Sequence, residues 1–245
     1  MRKVILYVFF GLVVALPARG ADIVNSGGGV LSQIADGGGW QTSITLVNLD
    51  AVSSFYILTI YGDNGQPLTL NTSAGQNSTF SGNLNPGASV VIDTAGTAAA
   101  VIQGWASLIT NSTIGGSAIF RYNPPGGPAY EASLPLDTGA NTQFALPFDH
   151  VNAATGVALV NPSQTVPLSI SVTFLDLKGA PMFTDTIQMQ PLTHNAFTLT
   201  DRYPQTVNTR GIVTFNANGL ANVLGLRFHG QGFTSITPLI SWAWQ

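Results

Sequence analysis

The residues of this chain with the clearest chemical potential are one aspartate and three histidines. Asp137 begins an Asp-Thr-Gly-Ala sequence, and two carboxylates that share a proton can activate water for hydrolysis. No two of His150, His194 and His229 have a metal-ligand spacing such as His-x-x-x-His. Asp149 directly precedes His150, but adjacent residues of a strand point to opposite faces and do not form a dyad unless the chain turns. We therefore predict no catalytic set and no metal site from the histidines.

The sequence at Asp137 resembles the Asp-Thr-Gly-Ala signature of retroviral-type aspartic proteases. Val223, Leu224 and Gly225 resemble the apolar-apolar-Gly element that those enzymes place beneath the catalytic loop. The resemblance implies a peptidase with paired carboxylates. Two observations oppose it, because Asp137 falls between the two halves of the chain and residues 240–242, its counterpart in the second half, contain no aspartate. The protease is therefore an alternative to a chain without catalytic residues.

Acidic and amide residues in the expected turns provide oxygen atoms, which calcium prefers as ligands. They are Asp36, Asp63, Asn64, Asp149 and Asp176. A calcium loop brings six or more oxygens to one point, and no EF-hand spacing occurs here. Because Asp and Asn are also common turn formers, we expect no metal and no cofactor.

Three of the four tryptophans are candidates for ligand binding. Trp40, Trp242 and Trp244 would stack on sugar rings if they are exposed, and the last two alternate on one face of the final segment. Trp105 corresponds to Ile212 in the second half, so it is expected in the core. Packing is the competing interpretation for all of them, since large aromatic side chains dominate core energetics.

The first 20 residues have the pattern of a secretory signal peptide. Arg2 and Lys3 precede an apolar run over residues 4–16, and Ala18 and Gly20 are the small residues that a signal peptidase reads. The apolar run is too short for a comfortable membrane-spanning helix. We expect cleavage after Gly20 and no integral membrane span in the remaining chain.

The chain that follows residue 20 is acidic and poor in charge. It has five basic residues against eleven acidic ones, a net charge of −6, and charged residues are only 8% of the full sequence. No basic patch is available to neutralise phosphates, which excludes nucleic acid and anionic lipid as partners. The chain has no cysteine, so an ordinary hydrophobic core must hold an exported fold together.

One seven-residue stretch occurs twice, which suggests a duplicated domain. Residues 42–48 read TSITLVN and residues 155–161 read TGVALVN. Further matches follow in the same order: Asp36 with Asp149, Gly65 with Gly179, Gly104 with Gly211, Arg121 with Arg227, and Pro135 with Pro238. The spacing between matched residues falls from 113 to 103, as expected if loops shorten while strands keep their order.

Both halves consist of short apolar runs separated by Gly, Pro, Asn and Asp turns. Residues 168–174 alternate between apolar side chains and Ser or Thr, which is the period of a strand, and no stretch after residue 20 has a helical period over three turns. This pattern predicts an all-β protein of two tandem β-sandwiches. The expected boundaries are a signal peptide at 1–20, a first copy at 21–136, a linker at 137–143 and a second copy at 144–245.

The order of elements in the first half carries a second resemblance. An apolar strand ending in Asn48 precedes another apolar strand, an Asp-Asn-Gly turn at 63–65, Leu-Asn-Pro-Gly at 84–87 and a further strand. This order resembles bacterial immunoglobulin-like modules of the adhesion and cell-surface kind. The second half has Met-Gln-Pro-Leu at 189–192 and lacks the glycine. The resemblance implies two immunoglobulin-like domains from an internal duplication, but no particular activity.

These observations predict a non-catalytic exported protein with a structural, adhesive or binding role. The expected location is extracytoplasmic in a bacterium, in the periplasm, at the cell surface or outside the cell. Its expected partners are a protein or a polysaccharide at the cell surface. A carbohydrate-binding module with exposed tryptophans is the first alternative, and an aspartic protease acting through Asp137, Thr138 and Gly139 is the second.

Overall fold

The computed structural model describes residues 27–139 and 141–240, which form an all-β protein of antiparallel strands. The expected signal peptide, Trp242 and Trp244 lie outside these described residues. Within the described part of the chain, no helix combines the length and the apolarity that a membrane span requires.

The first half forms two four-stranded sheets that face each other. Its strands are β1 (Gly29–Asp36), β2 (Trp40–Asn48), β3 (Ser54–Gly62), β4 (Leu70–Thr72), β5 (Gly75–Asn77), β6 (Thr79–Leu84), β7 (Ser89–Asp93), β8 (Ile102–Thr110), β9 (Ile114–Tyr122) and β10 (Tyr130–Pro135). The sheet orders are β1-β8-β3-β6 and β10-β9-β2-β7, and β4 and β5 form a separate hairpin. Alternate side chains of both sheets, such as Leu58 and Leu46, meet in one core.

The second half has one long strand that serves two sheets. Its elements are β11 (Asn141–Asp149), β12 (Ala154–Val160), β13 (Leu168–Leu175), β14 (Pro181–Met189), β15 (His194–Thr198), the helix α1 (Leu199–Arg202), a 3-10 helix (Pro204–Thr206), β16 (Arg210–His229) and β17 (Gly232–Ile236). The first part of β16 lies between β11 and β13, with β14 beyond β13. Its last part lies between β12 and β17, with β15 beyond β12.

Both halves have the same strand order. β11, β12, β13, β14, β15 and β17 take the places of β1, β2, β3, β6, β7 and β10, and β16 takes the places of both β8 and β9. Two glycines mark the same close approach in each half. A Cβ at Gly104 would overlap the carbonyl oxygen of Tyr61, and one at Gly211 would overlap that of Leu175.

The asparagine that ends each repeated stretch is buried and makes the same hydrogen bonds. Nδ2 of Asn48 donates to the carbonyl oxygens of Val52 at 2.7 Å and Leu84 at 2.9 Å, and Oδ1 accepts from the backbone N–H of Asp50. Asn161 makes the corresponding bonds to Val166, Met189, Gln190 and Ser163. Each amide thus satisfies loop backbone groups next to the core, away from water.

Two of the matches expected between the halves are wrong by one residue. Thr42 pairs with Phe120 of β9. Thr155 pairs with Arg227 of β16, so Arg227 takes the place of Phe120 and not that of Arg121. The backbone N–H of His150 bonds to Thr209, two residues before Gly211, just as Asp36 pairs two residues before Gly104. Asp36 therefore corresponds to His150 and not to Asp149. The difference matters because a shift of one residue along a strand reverses the face on which a side chain lies.

The two halves are packed together around β1. All eight residues of β1 are buried, although β1 is an edge strand of its sheet. Residues of β10, β12 and β16 lie close to it, and β10 runs beside β17. Ala158 of β12 and Leu224 of β16 belong to the core of the first half, whereas Val157 and Leu159 belong to the core of the second. The strand β12 is therefore buried on both faces, which explains its unbroken apolar run.

Both ends of the expected linker at 137–143 take part in strand pairing. Asp137 forms an antiparallel bridge with Val30, and β11 begins at Asn141, earlier than the apolar pattern indicates. Strand pairing uses backbone groups, so these polar residues join the sheets without apolar side chains.

Candidate functional site

A pocket of about 210 Å³ lies between the two halves, and we name it the central pocket. Its aromatic lining consists of Trp40, Phe120, Phe197 and Phe228, and its polar lining consists of Gln33, Gln103 and Thr198. None of the described residues that line it carries a charge. A pocket with an aromatic wall and a few neutral polar groups is typical of a ligand-binding site.

Strands of both halves position this lining. β1 and β8 contribute Gln33 and Gln103, while β15 and β16 contribute Phe197 and Phe228. A glycine of β12 gives one ring its place, since a Cβ at Gly156 would lie 2.8 Å from Cε2 of Phe228. The pocket therefore exists only when the two halves are packed together.

Gln33 is a buried polar side chain of the central pocket, and its amide oxygen lacks a hydrogen-bond donor. It lies where the register between β1 and β8 shifts, in a bulge between Leu31 and Ile34, and is 7% exposed. Its Nε2 donates to the carbonyl oxygen of Ile34 at 3.3 Å and lies 3.5 Å from Oε1 of Gln103. Its own Oε1 is buried without a hydrogen-bond partner in the described structure, which costs about 1–3 kcal/mol. Thr155, His150 and His194 also have a buried polar atom without a partner in the described structure, but of these residues only Gln33 lines the central pocket.

Trp40 is the one predicted ligand-binding residue that the structure describes. It is half-buried, lines the central pocket, and stacks on Tyr122 with ring centroids 4.8 Å apart. Its centroid also lies 5.0 Å from that of Phe233 in the second half. Trp40 thus packs between the halves and also lines a pocket. Its position therefore fits both the packing and the ligand-binding interpretation of the sequence.

Trp105 is buried as expected, and it contacts residues of both halves. It stacks on Tyr61 at 4.9 Å between centroids, and its Nε1 donates to the carbonyl oxygen of Leu192 at 2.8 Å. Val160 packs against the same ring. Its role is therefore to join the halves.

Asp137 is held by structural hydrogen bonds in a second cavity of about 290 Å³. Its Oδ1 accepts from the backbone N–H of Gly139 at 2.9 Å, and its Oδ2 accepts from Nδ2 of Asn222 at 2.7 Å. Among the described residues that line this cavity, Asp137 is the only ionisable one. Among its described lining residues, this cavity therefore holds no second carboxylate beside Asp137.

Asp149 is the last residue of β11, and His150 begins the turn that follows it. Asp149 accepts a hydrogen bond from Nε of Arg210 at 2.9 Å, and this bond lowers the pKa of the carboxyl group. His150 is buried, with Nδ1 3.0 Å from Oγ1 of Thr206. Burial lowers the pKa of its imidazole. The two side chains therefore stabilise different contacts and do not act as a pair.

His194 links the second half to the first. Its Nδ1 lies 2.7 Å from Oδ1 of Asp63, in the Asp-Asn-Gly turn that follows β3. The imidazole is fully buried, whereas the carboxylate is mostly exposed. Across the described residues, no three His, Asp or Glu side chains are close enough to hold a metal ion.

A polar cluster surrounds α1, and no sequence pattern indicates it. The hydroxyl of Tyr203 donates to Oδ2 of Asp185 at 2.9 Å, and burial together with this carboxylate raises the pKa of Tyr203 to about 12. The guanidinium of Arg202 lies 4.9 Å above the ring of Phe197, which lines the central pocket. A four-residue helix is too short to produce a periodic pattern, so the cluster was missed.

No family model, no curated protein and no solved structure matches this chain. Its function is therefore inferred from the contacts and burial of its own residues. Of the described sites, the central pocket combines an aromatic wall with a buried acceptor that lacks a donor.

Proposed function

We propose that this chain is a non-catalytic bacterial protein, exported through its first 20 residues, which acts at the cell surface or outside the cell by binding a partner. One observation carries the proposal: three of the four ionisable candidates from the sequence complete structural contacts. Asp137 bonds to Asn222, His150 to Thr206, and His194 to Asp63. The low charge after residue 20 agrees with an external protein whose partner is not a polyanion.

We also propose that the scaffold consists of two tandem immunoglobulin-like β-sandwiches from an internal duplication. The equal strand order and the equivalent bonds of Asn48 and Asn161 support this origin. The β2–β7 and β3–β8 pairs agree with the B–E and C–F pairs of immunoglobulin domains. One feature differs, since β9 leaves the sheet of β8 to pair with β2, whereas strands F and G share a sheet.

The central pocket is the proposed binding site. It lies between the halves, where ligand sites are common, and its lining is mostly preformed aromatic surface. Val101 lies at its rim and is 42% exposed, so a larger side chain is tolerated there and would block the entrance.

Binding to cell envelopes tests this proposal. Fluorescently labelled full chain should bind isolated bacterial envelopes, and Val101→Trp should weaken that binding at least about tenfold by occupying the pocket. Val91→Trp is the matched control, because Val91 is 49% exposed on β7 and outside the pocket. Equal binding by both variants would remove the pocket from the proposal.

Peptide cleavage tests the alternative of an aspartic protease. The full chain is expected to give no cleavage of a peptide library at pH 4–5 beyond that of its Asp137→Asn variant. Cleavage that is present in the parent and lost in Asp137→Asn contradicts a non-catalytic function.

A further inference from the structure

We infer that the central pocket binds one neutral saccharide ring, with Oε1 of Gln33 accepting a hydrogen bond from a ring hydroxyl. This inference rests on the proposed function of a non-catalytic binding protein, and it adds the chemical class of the ligand and the residue that recognises it. The ring would enter between the halves, beside Gln103 and Thr198.

The first step is the unsatisfied acceptor. Gln33 is more than nine-tenths buried, and its amide oxygen has no donor among the described residues. A ligand that donates a hydrogen bond gains from this group, whereas a purely apolar ligand leaves it unpaired. Hydroxyl groups are such donors, and they also accept from the amide of Gln103 at the exposed rim.

The second step is the lack of charge in the lining. A phosphate, carboxylate or ammonium group would lose its hydration in the central pocket without meeting an opposite charge among the described lining residues. The guanidinium of Arg202 covers the ring of Phe197 but does not line the pocket. The chemistry therefore favours a neutral ligand over an acidic or amino sugar.

The third step combines the aromatic wall with the size of the pocket. The aromatic rings offer flat apolar surface to the C–H groups of a sugar, while hydroxyl groups at its edge reach Gln33 and Thr198. A cavity of about 150 Å³ holds one benzene molecule, so 210 Å³ accommodates a single substituted six-membered ring. We therefore expect recognition of a terminal ring and not of an internal unit of a chain.

Titration with simple glycosides tests the inference. The methyl glycosides of glucose, galactose, mannose and N-acetylglucosamine are each titrated into the full chain by calorimetry, beside glucuronic acid and glucosamine. At least one neutral glycoside should bind. Gln33→Leu should weaken it at least about tenfold while keeping or raising the unfolding midpoint, because the substitution removes an unpaired buried acceptor. Gln188→Leu, on the exposed face of β14, is the control and should keep the parent affinity.

A second variant keeps the test decisive if Gln33→Leu folds poorly. Val101→Trp should also weaken binding at least about tenfold, and Val91→Trp should not. Binding of none of the neutral glycosides at millimolar concentration overturns the inference, as does preference for the charged sugars or binding that no pocket variant changes. If envelopes still bind the parent chain and no glycoside competes, the saccharide inference fails and the proposed function stands.

Discussion

Asn48 and Asn161 are buried amides that hold a loop and a neighbouring strand to the end of each repeated stretch. At the scale of single residues, they show why a polar side chain is placed against a core. An alanine leaves the buried bonds to the carbonyl oxygens of Leu84 and Met189 unmade. The side chain therefore specifies a loop conformation more than it contributes to burial.

Asn48→Ala should lower the free energy of unfolding by about 2–3 kcal/mol, because three hydrogen bonds of a buried group are lost. Asn161→Ala should have a similar effect. Urea unfolding at neutral pH measures both. Asn64→Ala is the control, since Asn64 is exposed and water replaces its bond to Gln66. A loss below about 0.5 kcal/mol in both buried variants contradicts the assigned role.

His150 should make the protein less stable as the pH falls. Burial lowers its pKa in the folded state below the ordinary 6.5, so between about pH 7 and 5 the unfolded chain takes up the proton more readily. The free energy of unfolding should therefore decrease over this range, and His150→Gln should reduce the slope. Urea unfolding at pH 5, 6 and 7 measures the slope for both proteins. An unchanged slope in the variant means that His150 does not titrate with unfolding.

Single residues could be located from the sequence better than they could be assigned a role. The repeat pointed to Asn48 and Asn161, but only the structure shows their bonds to loop carbonyl groups. Trp40 is a candidate for binding by its residue type, whereas nothing in the sequence marks Gln33. A lone glutamine in an apolar run has no pattern, and its burial results from a bulge that spacing does not reveal.

At the scale of secondary structure, β16 is the element that distinguishes the two halves. In the first half the chain leaves β8 through a short turn and enters β9 in the opposite sheet. In the second half the same path is one strand of 20 residues. Asn111 and Asn218 occupy this crossing, and each accepts a hydrogen bond from the start of the neighbouring strand, at Phe55 and Ser169. The crossing is thus stabilised in the same way with or without a turn.

Gly211→Ala should destabilise the protein by about 2–3 kcal/mol or more, because the new Cβ overlaps the backbone carbonyl oxygen of Leu175. Gly104→Ala should behave alike, through Tyr61. Thermal unfolding measures both. Gly219→Ala is the control in the same strand, since its Cβ would meet only the flexible Cδ2 of Leu168, at 2.8 Å. An equal effect at Gly211 and Gly219 contradicts the close approach of the strands.

Strands with one buried face were the ones that the sequence predicted well. β13 alternates between apolar residues and Ser or Thr, and its observed bounds lie close to the expected range 168–174. In β3 the burial of the side chains alternates in the same way. β6 was missed because its sequence, TFSGNL, is largely polar. The start of β11 was missed for the same reason, since its first residues contribute backbone pairing and no apolar side chain.

At the scale of the whole molecule, the interface between the halves has a small buried cluster of its own, formed by Val30, Trp105 and Val160. Trp105 is fully buried in it, and the bond between His194 and Asp63 closes its side. Leu192 has a φ of 62°, a left-handed conformation that is strained for leucine, and its carbonyl oxygen accepts from Trp105. The two halves should therefore behave as one cooperative unit.

Trp105→Ala should uncouple the halves. Removing a buried tryptophan costs about 3–5 kcal/mol, and here that loss falls on the interface. We expect a single calorimetric transition for the parent and two transitions for Trp105→Ala. Ile57→Ala is the control, because Ile57 lies on β3 but is 37% exposed. One unshifted transition in Trp105→Ala contradicts the coupling.

The central pocket could not have been predicted from the sequence. Gln33, Gly156 and Phe228 come from distant parts of the chain, and they meet only because two sheets from different halves pack together. Periodicity reports which face of a strand is buried, but not what covers it. The unbroken apolar run of β12 was the one sign that something covers both of its faces.

The burial of β1 has a consequence for biogenesis. β1 is the first described strand to be synthesised, yet β16, which covers it, is among the last. Until then its apolar side chains stay accessible, and contacts between such distant segments form slowly. A nascent chain therefore stays incompletely folded until β16 has been made, and under the export proposed above this keeps the chain extended enough to pass through a channel. The packing of β16 on β1, which holds the two halves together, is thus also the contact whose late formation delays folding.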